Sequence, residues 1–229
     1  MNLLRAQLSR RQFCQGLGLG AIAPIFQGDL ARAEARSPDG ALQKLLDGNA
    51  RFVGQRRLYP DQSLARVLAV AQTQQPFAAL LSCADSRVSP EILFDTGIGD
   101  LFDVRLAGNV VTPESLGSLE YAVVALQTKL IVVLGHERCG AVTAAVAQET
   151  LPGEIGSLVA AIAPAILGLH GGDLLEQAVV ANIRYQVGLL KTKSPVLAEC
   201  LRRGALQIVG ARYDLDTGRV TILSFPKTP

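Results

Sequence analysis

The sequence predicts an α/β fold: a single domain with a central, mostly parallel sheet, flanked by helices and finished by a C-terminal β-hairpin. Three observations carry this. Two short apolar runs, residues 77–81 and 130–134, are bounded by proline, glycine or polar clusters, as strands buried on both faces are. Segments with apolar residues at helical spacing lie between them, so the strands are joined by crossovers and run parallel. Near the end, runs at 206–212 and 219–225 flank Asp214-Leu215-Asp216-Thr217-Gly218, which reads as the turn of a hairpin. With 229 residues the chain is long enough for one domain with a sizeable core.

Residues 1–35 read as an export signal, separate from a domain at 36–229. Arg5, Arg10 and Arg11 lead a modestly apolar, glycine-rich stretch at 13–26. Ala31-Arg32-Ala33 and Ala33-Glu34-Ala35 then offer small-x-small cleavage sites. Ser9-Arg10-Arg11-Gln12-Phe13 resembles a twin-arginine signal, which implies export of the folded protein to a periplasm or, alternatively, a thylakoid lumen. Cleavage would remove Cys14 and leave Cys83, Cys139 and Cys200, an odd number that argues against a purely disulfide role.

Within the domain, Leu42, Leu45, Leu46, Phe52 and Val53 mark an amphipathic helix over 41–53. A polar turn at 55–62 separates it from a second such helix at 63–71. A strand at 77–83, a helical turn at 90–94 and a strand at 101–106 follow. Thr112-Pro113-Glu114 supplies a cap, a first-turn proline and an acid at the positive end of a helix running to about 126. The strand at 130–136 leads into an alanine-rich helix at 139–148. Helices are expected at 157–167, with Pro164 as a point of breakage, and at 173–190. Ser194-Pro195 opens a last helix that Gly204 stops after Arg203.

Composition excludes several classes of function. The net charge is +2 and aromatics make up 5% of the chain, so there is no basic stripe and few rings on which bases could stack; nucleic acid is not an expected partner. Although 49% of residues are hydrophobic, no run reaches the roughly 20 apolar residues of a stable membrane span. Four cysteines are too few for a disulfide scaffold.

The chemistry gathers at the ends of the two buried strands. One ends in Cys83-Ala84-Asp85-Ser86-Arg87, the other in Gly135-His136-Glu137-Arg138-Cys139-Gly140. Ligands bind past the carboxyl ends of strands in open α/β sheets. Cys83, His136 and Cys139 are three of the four donors that a tetrahedral zinc requires. Cys139 starts a helix, whose positive end favours the thiolate. Asp85 or water completes the set. If Arg87 grips Asp85 in a two-point pair, water binds and the site is catalytic; if Asp85 swings onto the metal, the site is closed. Two thiolates and a neutral imidazole leave zinc formally neutral, so bound water is less acidic than at a three-histidine centre and activity is expected to rise toward alkaline pH. The same residues also admit a Cys83–Cys139 disulfide, two inert buried cysteines, or an ordinary Asp85–Arg87 ion pair. His170, in a glycine-rich turn, reads as surface, and Cys200 as part of a helix core.

Cys83-x-Asp85-Ser86-Arg87 together with Gly135-His136-x-x-Cys139-Gly140 resembles the β-class carbonic anhydrases. The likeness extends through Gly99-Asp100-Leu101-Phe102-x-Val104-Arg105-x-Ala107-Gly108-Asn109 and Ser118-Leu119-Glu120-Tyr121-Ala122-Val123. It implies one zinc per chain on Cys83, His136 and Cys139, with Asp85 and Arg87 as the catalytic pair. The reaction implied is reversible hydration of carbon dioxide to bicarbonate by attack of zinc-bound hydroxide. It implies a substrate pocket with Phe102, Ala107 and Tyr121, a side-chain donor from Gln74 and a backbone donor from Gly140. It also implies a homodimer or higher homo-oligomer, with the N-terminal helices lying on the partner. Leu106 stands where the family usually has Asn, and Leu80 stands where a bicarbonate-inhibited subgroup has Trp, so that inhibition is not expected. Hydrolysis of carbonyl sulfide or carbon disulfide on the same site, and a catalytically silent zinc- or bicarbonate-binding homologue, are the alternative functions.

Overall fold

The computed structural model describes residues 37–224. The export signal and its cleavage sites lie outside the described residues, as does Phe225 at the end of the expected hairpin. The chain runs through α1 (Pro38–Val53), α2 (Leu64–Val70), β1 (Ala78–Ser82), α3 (Pro90–Leu93) and β2 (Leu101–Arg105). A 3-10 turn (Ala107–Asn109), α4 (Pro113–Val124), β3 (Leu130–His136), α5 (Gly140–Val146) and α6 (Ile155–Ile166) follow. The chain ends in α7 (Leu174–Lys193), α8 (Pro195–Arg202), β4 (Gln207–Tyr213) and β5 (Val220–Leu223). The five strands form one sheet in the order β2-β1-β3-β4-β5, parallel except for the antiparallel β4–β5 hairpin. This is the predicted architecture.

Every residue of β1 and β3 is buried, which is why both read as unbroken apolar runs rather than alternating ones. Ala79, Leu81, Ile131 and Val133 pack on one side against Leu119 of α4, Val142 of α5, Ile162 of α6 and Val179, Ile183 and Val187 of α7. Leu80, Leu130, Val132 and Leu134 pack on the other side against Ala41 and Leu45 of α1 and against Leu93 and Phe94. Asn49, buried on α1, donates to the Leu93 and Gly218 carbonyls and accepts from Val220 N–H, tying that helix to the hairpin.

Local signals set the helix ends. Thr112 and Ser115 form a reciprocal capping box ahead of α4, with Pro113 in the first turn. Ser194 closes α7 and its Oγ accepts from Leu197 N–H at 3.0 Å to open α8. Two helices depart from expectation. Pro164 does not break α6, because it sits in the last turn, where one lost hydrogen bond is tolerable. Helix α7 runs to Lys193 rather than stopping at 190, with Lys191 and Lys193 favourably placed at its negative end. Helix α2 forms where predicted, yet none of its residues is buried; Leu64 and Leu68 are 74% and 70% exposed.

Helix α1 packs so closely on α3 that a Cβ at Gly48 would lie 1.7 Å from the Phe94 carbonyl oxygen. Alanine usually favours a helix over glycine by about 1 kcal/mol. Here Gly48→Ala is expected to reverse that sign and destabilise the domain by about 1–3 kcal/mol through overpacking. Equilibrium unfolding of the variant checks this, and an unchanged or raised stability would contradict the packing.

Candidate active site

β1 and β3 are adjacent and parallel, with Ser82 level with Leu134. Cys83 therefore leaves the sheet beside the end of β3, where His136 is the last strand residue. The chain then has to turn back within two residues for Cys139 to face the same point. Arg138 adopts a left-handed φ of 49° to do so, a conformation uncommon for a non-glycine residue. Cys139 then caps α5. The result is a buried group in which the donor atoms of Cys83, His136 and Cys139 all lie within 4.8 Å of one another.

The donor set fits a zinc ion. A tetrahedral centre with 2.3 Å bonds to sulfur holds two thiolates about 3.8 Å apart; the Cys83 and Cys139 sulfurs are 3.9 Å apart and both cysteines are free. His136 Nδ1 lies 2.8 Å from the Glu137 carbonyl oxygen, so it is the protonated nitrogen and donates there. That leaves Nε2 as a bare lone pair, buried with no hydrogen-bond partner. An orphaned acceptor beside two sulfurs is costly unless a cation takes it up.

Electrostatics support the same reading. The contact between the two sulfurs, helped by backbone donors at Gly108 and Asp85, lowers the Cys83 thiol below its ordinary value against the penalty of burial. The same contact and burial push Cys139 upward. The two thiols are thus coupled: the first proton leaves more readily than from an ordinary cysteine and the second less readily. Gly108 N–H points at the Cys83 sulfur at 3.3 Å.

Asp85 is held by Arg87. The guanidinium donates from Nε to Oδ1 at 2.9 Å and from Nη2 to Oδ2 at 2.7 Å, and Arg87 N–H adds a third bond to Oδ1 at 2.9 Å. This grip keeps the Asp85 carboxyl far below the usual carboxylate range. Asp85 Oδ2 stands 3.8 Å from His136 Nε2, next to the donor cluster while its two-point pair points to Arg87.

The carbonic anhydrase family profile matches residues 78–220, the span that contains the whole donor set. Carbonic anhydrase 2 of Mycobacterium tuberculosis is 43% identical over 195 residues, covering 81% of this chain and 93% of that protein. The carbonic anhydrase of Mycolicibacterium smegmatis is 41% identical, covering 82% and 94%. The chain belongs to the β-class carbonic anhydrases. Among solved β-carbonic anhydrases, the structure of CcaA aligns with a TM-score of 0.64 at 30% identity, covering 80% of this chain and 94% of that one. The Coccomyxa β-carbonic anhydrase in complex with acetazolamide aligns at 0.60 and 27%, covering 89% and 86%. The family hydrates carbon dioxide and is zinc-dependent, and the Cys-His-Cys group is the part of this carbonic anhydrase that suits the metal.

The substrate-pocket residues expected from the family fall in three places. Phe102 of β2 and Tyr121 of α4 pack against each other with ring centroids 6.2 Å apart, and Phe102 joins the same packed cluster as Cys83. Ala107 opens the turn whose next residue bonds the Cys83 sulfur, and Gly140 follows Cys139 with nothing within 4 Å of where its Cβ would be. Gln74 is elsewhere. It precedes β1, whereas Cys83 follows it, so the strand's five residues, about 17 Å at 3.3 Å each, separate Gln74 from the site of its own chain. His170 is exposed, as expected, and Cys200 is partly buried against the core from α8.

Sequence reasoning missed two contributors. Arg105 donates to the Cys83, Asp85 and Val88 carbonyls at 3.3, 2.9 and 2.7 Å, clamping the segment that carries Cys83 and Asp85. Gly108, at φ 76°, presents its N–H to sulfur. Both lie in the stretch that resembles the family, yet only a charge at the end of a strand and a glycine after it signalled them. In the metal-free protein, one thiolate's ultraviolet absorbance is expected to persist below the pH at which an ordinary cysteine is protonated. An ordinary thiol would lose it near 8.5, and that result would contradict the coupled pair.

Proposed function

We propose that this chain binds one zinc through Cys83, His136 and Cys139 and hydrates carbon dioxide with Asp85 and Arg87 as its catalytic pair. The observation that carries the reading is the Asp85 carboxylate gripped by Arg87 at 2.7–2.9 Å while its Oδ2 stands 3.8 Å from the orphaned His136 Nε2. Zinc held by this donor set supplies a Lewis acid that acidifies a water and so provides the nucleophile. Asp85, fixed by Arg87, accepts a hydrogen bond from the attacking water and sets its direction. An arginine-bound carboxylate this far below its ordinary pKa stays ionised across the working range, so it orients rather than stores the proton. Phe102 and Tyr121 offer an apolar wall suited to a small, nonpolar substrate, and Gly140 N–H offers a donor for the oxygen that gains charge.

The site is expected to be completed in a homodimer. Gln74 cannot serve the site of its own chain, and α2 carries an outward apolar side with no buried residue. A second copy lying against α2 would bury that side and give Gln74 a site to enter. The twin-arginine-like N-terminus supports export of a folded, metal-loaded enzyme, since bound zinc would protect Cys83 and Cys139 in an oxidising compartment. A monomer in sedimentation, or a cytosolic chain indifferent to loss of twin-arginine translocation, would contradict these two statements.

The reading is tested by carbon dioxide hydration between pH 6.5 and 9, with zinc determined on the same sample. One zinc per chain and activity rising with pH are expected. Asp85→Asn is expected to lower kcat/KM by about 100-fold or more while leaving the zinc content unchanged. Zinc-loaded protein inactive at every pH would favour the silent homologue, and preference for carbonyl sulfide would favour the hydrolase.

A further inference from the structure

Helix α7 buries seven residues, and two of them are amides: Asn182, 1% exposed, and Gln186, fully buried. They lie one turn apart among Ala178, Val179, Ile183, Val187 and Leu190, where leucine would pack at less cost. Each polar atom of both has a partner. Asn182 Nδ2 donates to the Gly108 carbonyl at 2.9 Å, and Asn182 Oδ1 accepts from Gln186 Nε2 at 2.9 Å. Gln186 Nε2 also reaches the Ala161 carbonyl at 3.3 Å, and Gln186 Oε1 accepts from Val111 N–H at 2.8 Å. The two amides thus hold the middle of the 3-10 turn and the segment that leaves it.

That turn is the one that meets the cysteine. Gly108 adopts φ 76° and donates its N–H to the Cys83 sulfur at 3.3 Å. It has no room to shift: a Cβ at Gly108 would lie 2.7 Å from Ile162 Cδ1, and one at Gly135 would lie 2.5 Å from Ile183 Cγ1. A continuous chain of hydrogen bonds and close packing therefore runs from the middle of α7 to the sulfur of Cys83. Neither amide touches the donor cluster itself.

We infer that Asn182, braced by Gln186, is a positioning residue that aims the Gly108 N–H at the Cys83 sulfur and thereby sets how firmly this enzyme holds its metal. The inference rests on the zinc reading above. A donor to a metal-bound thiolate withdraws charge from the sulfur and fixes its direction, and partners of this kind typically change metal affinity by 10- to 100-fold when lost. Buried, hydrogen-bonded amides can supply such a fixed donor because no competing water reaches them.

The test uses the full chain loaded with zinc or with cobalt(II). Asn182→Ala is expected to lower zinc affinity by about 10- to 100-fold in competition with a chelator. In the cobalt protein it is expected to move the thiolate-to-cobalt charge-transfer absorption to longer wavelength, because the sulfur orbitals lose their hydrogen-bond stabilisation. Val187→Ala is the control: it opens a cavity on the next turn of the same helix, removes no hydrogen bond and is expected to lower the melting temperature without either effect. Gln186→Met removes the brace at similar length and carries the same test should Asn182→Ala fail to fold. Metal affinity and spectrum indistinguishable between the amide variants and Val187→Ala would overturn the inference while leaving the zinc reading intact. A wild-type chain that takes up neither metal would overturn both.

Discussion

The in-register parallel pairing of β1 with β3 is the constraint on which the rest depends. Ser82 opposite Leu134 brings Cys83 and His136 to one edge of the sheet, although 52 residues of chain lie between them. Parallel neighbours need a covered crossover; here the intervening chain adds β2, α3 and α4 before returning. Both faces of the central strands are consequently dry. The dryness makes the donor cluster costly to leave empty, because an unpartnered imidazole nitrogen and two coupled thiols have no water to fall back on.

Charge is then arranged in two separate pairs. The cysteine pair favours one thiolate, on Cys83, which the Gly108 N–H faces. Asp85 carries a second negative charge but is drawn away from the cluster by Arg87, whose planar fork satisfies both carboxylate oxygens at once. Backbone carbonyls of the same segment are claimed by Arg105. One arginine therefore fixes the carboxylate and another fixes the loop that presents it. Separate fixation holds the carboxylate beside the donor group while both its oxygens are engaged by Arg87.

Much of this was legible because it is local. Cys-x-Asp-x-Arg and His-x-x-Cys at strand ends name their own chemistry, and the capping residues Thr112 and Ser194 mark their helices without reference to the rest of the chain. Gln74 entered through the family resemblance, and its place before β1 shows only in the fold. The exposure of α2 was not legible from periodicity, which states that a face is to be buried and not which chain buries it; only the family resemblance pointed to a partner. Asn182 and Gln186 read as ordinary helix positions; only the fold shows that their turn of α7 passes the irregular segment at Gly108. Arg138 carries a backbone strain that no side-chain pattern encodes.

The most direct test of this account is a crystal structure of the zinc-loaded protein at alkaline pH, with the metal located by its anomalous scattering. The account predicts one zinc bound by Cys83, His136 and Cys139, with a solvent oxygen as the fourth ligand and Asp85 still paired with Arg87. Zinc bound directly by Asp85 under those conditions, or bound anywhere other than at these three side chains, would contradict it.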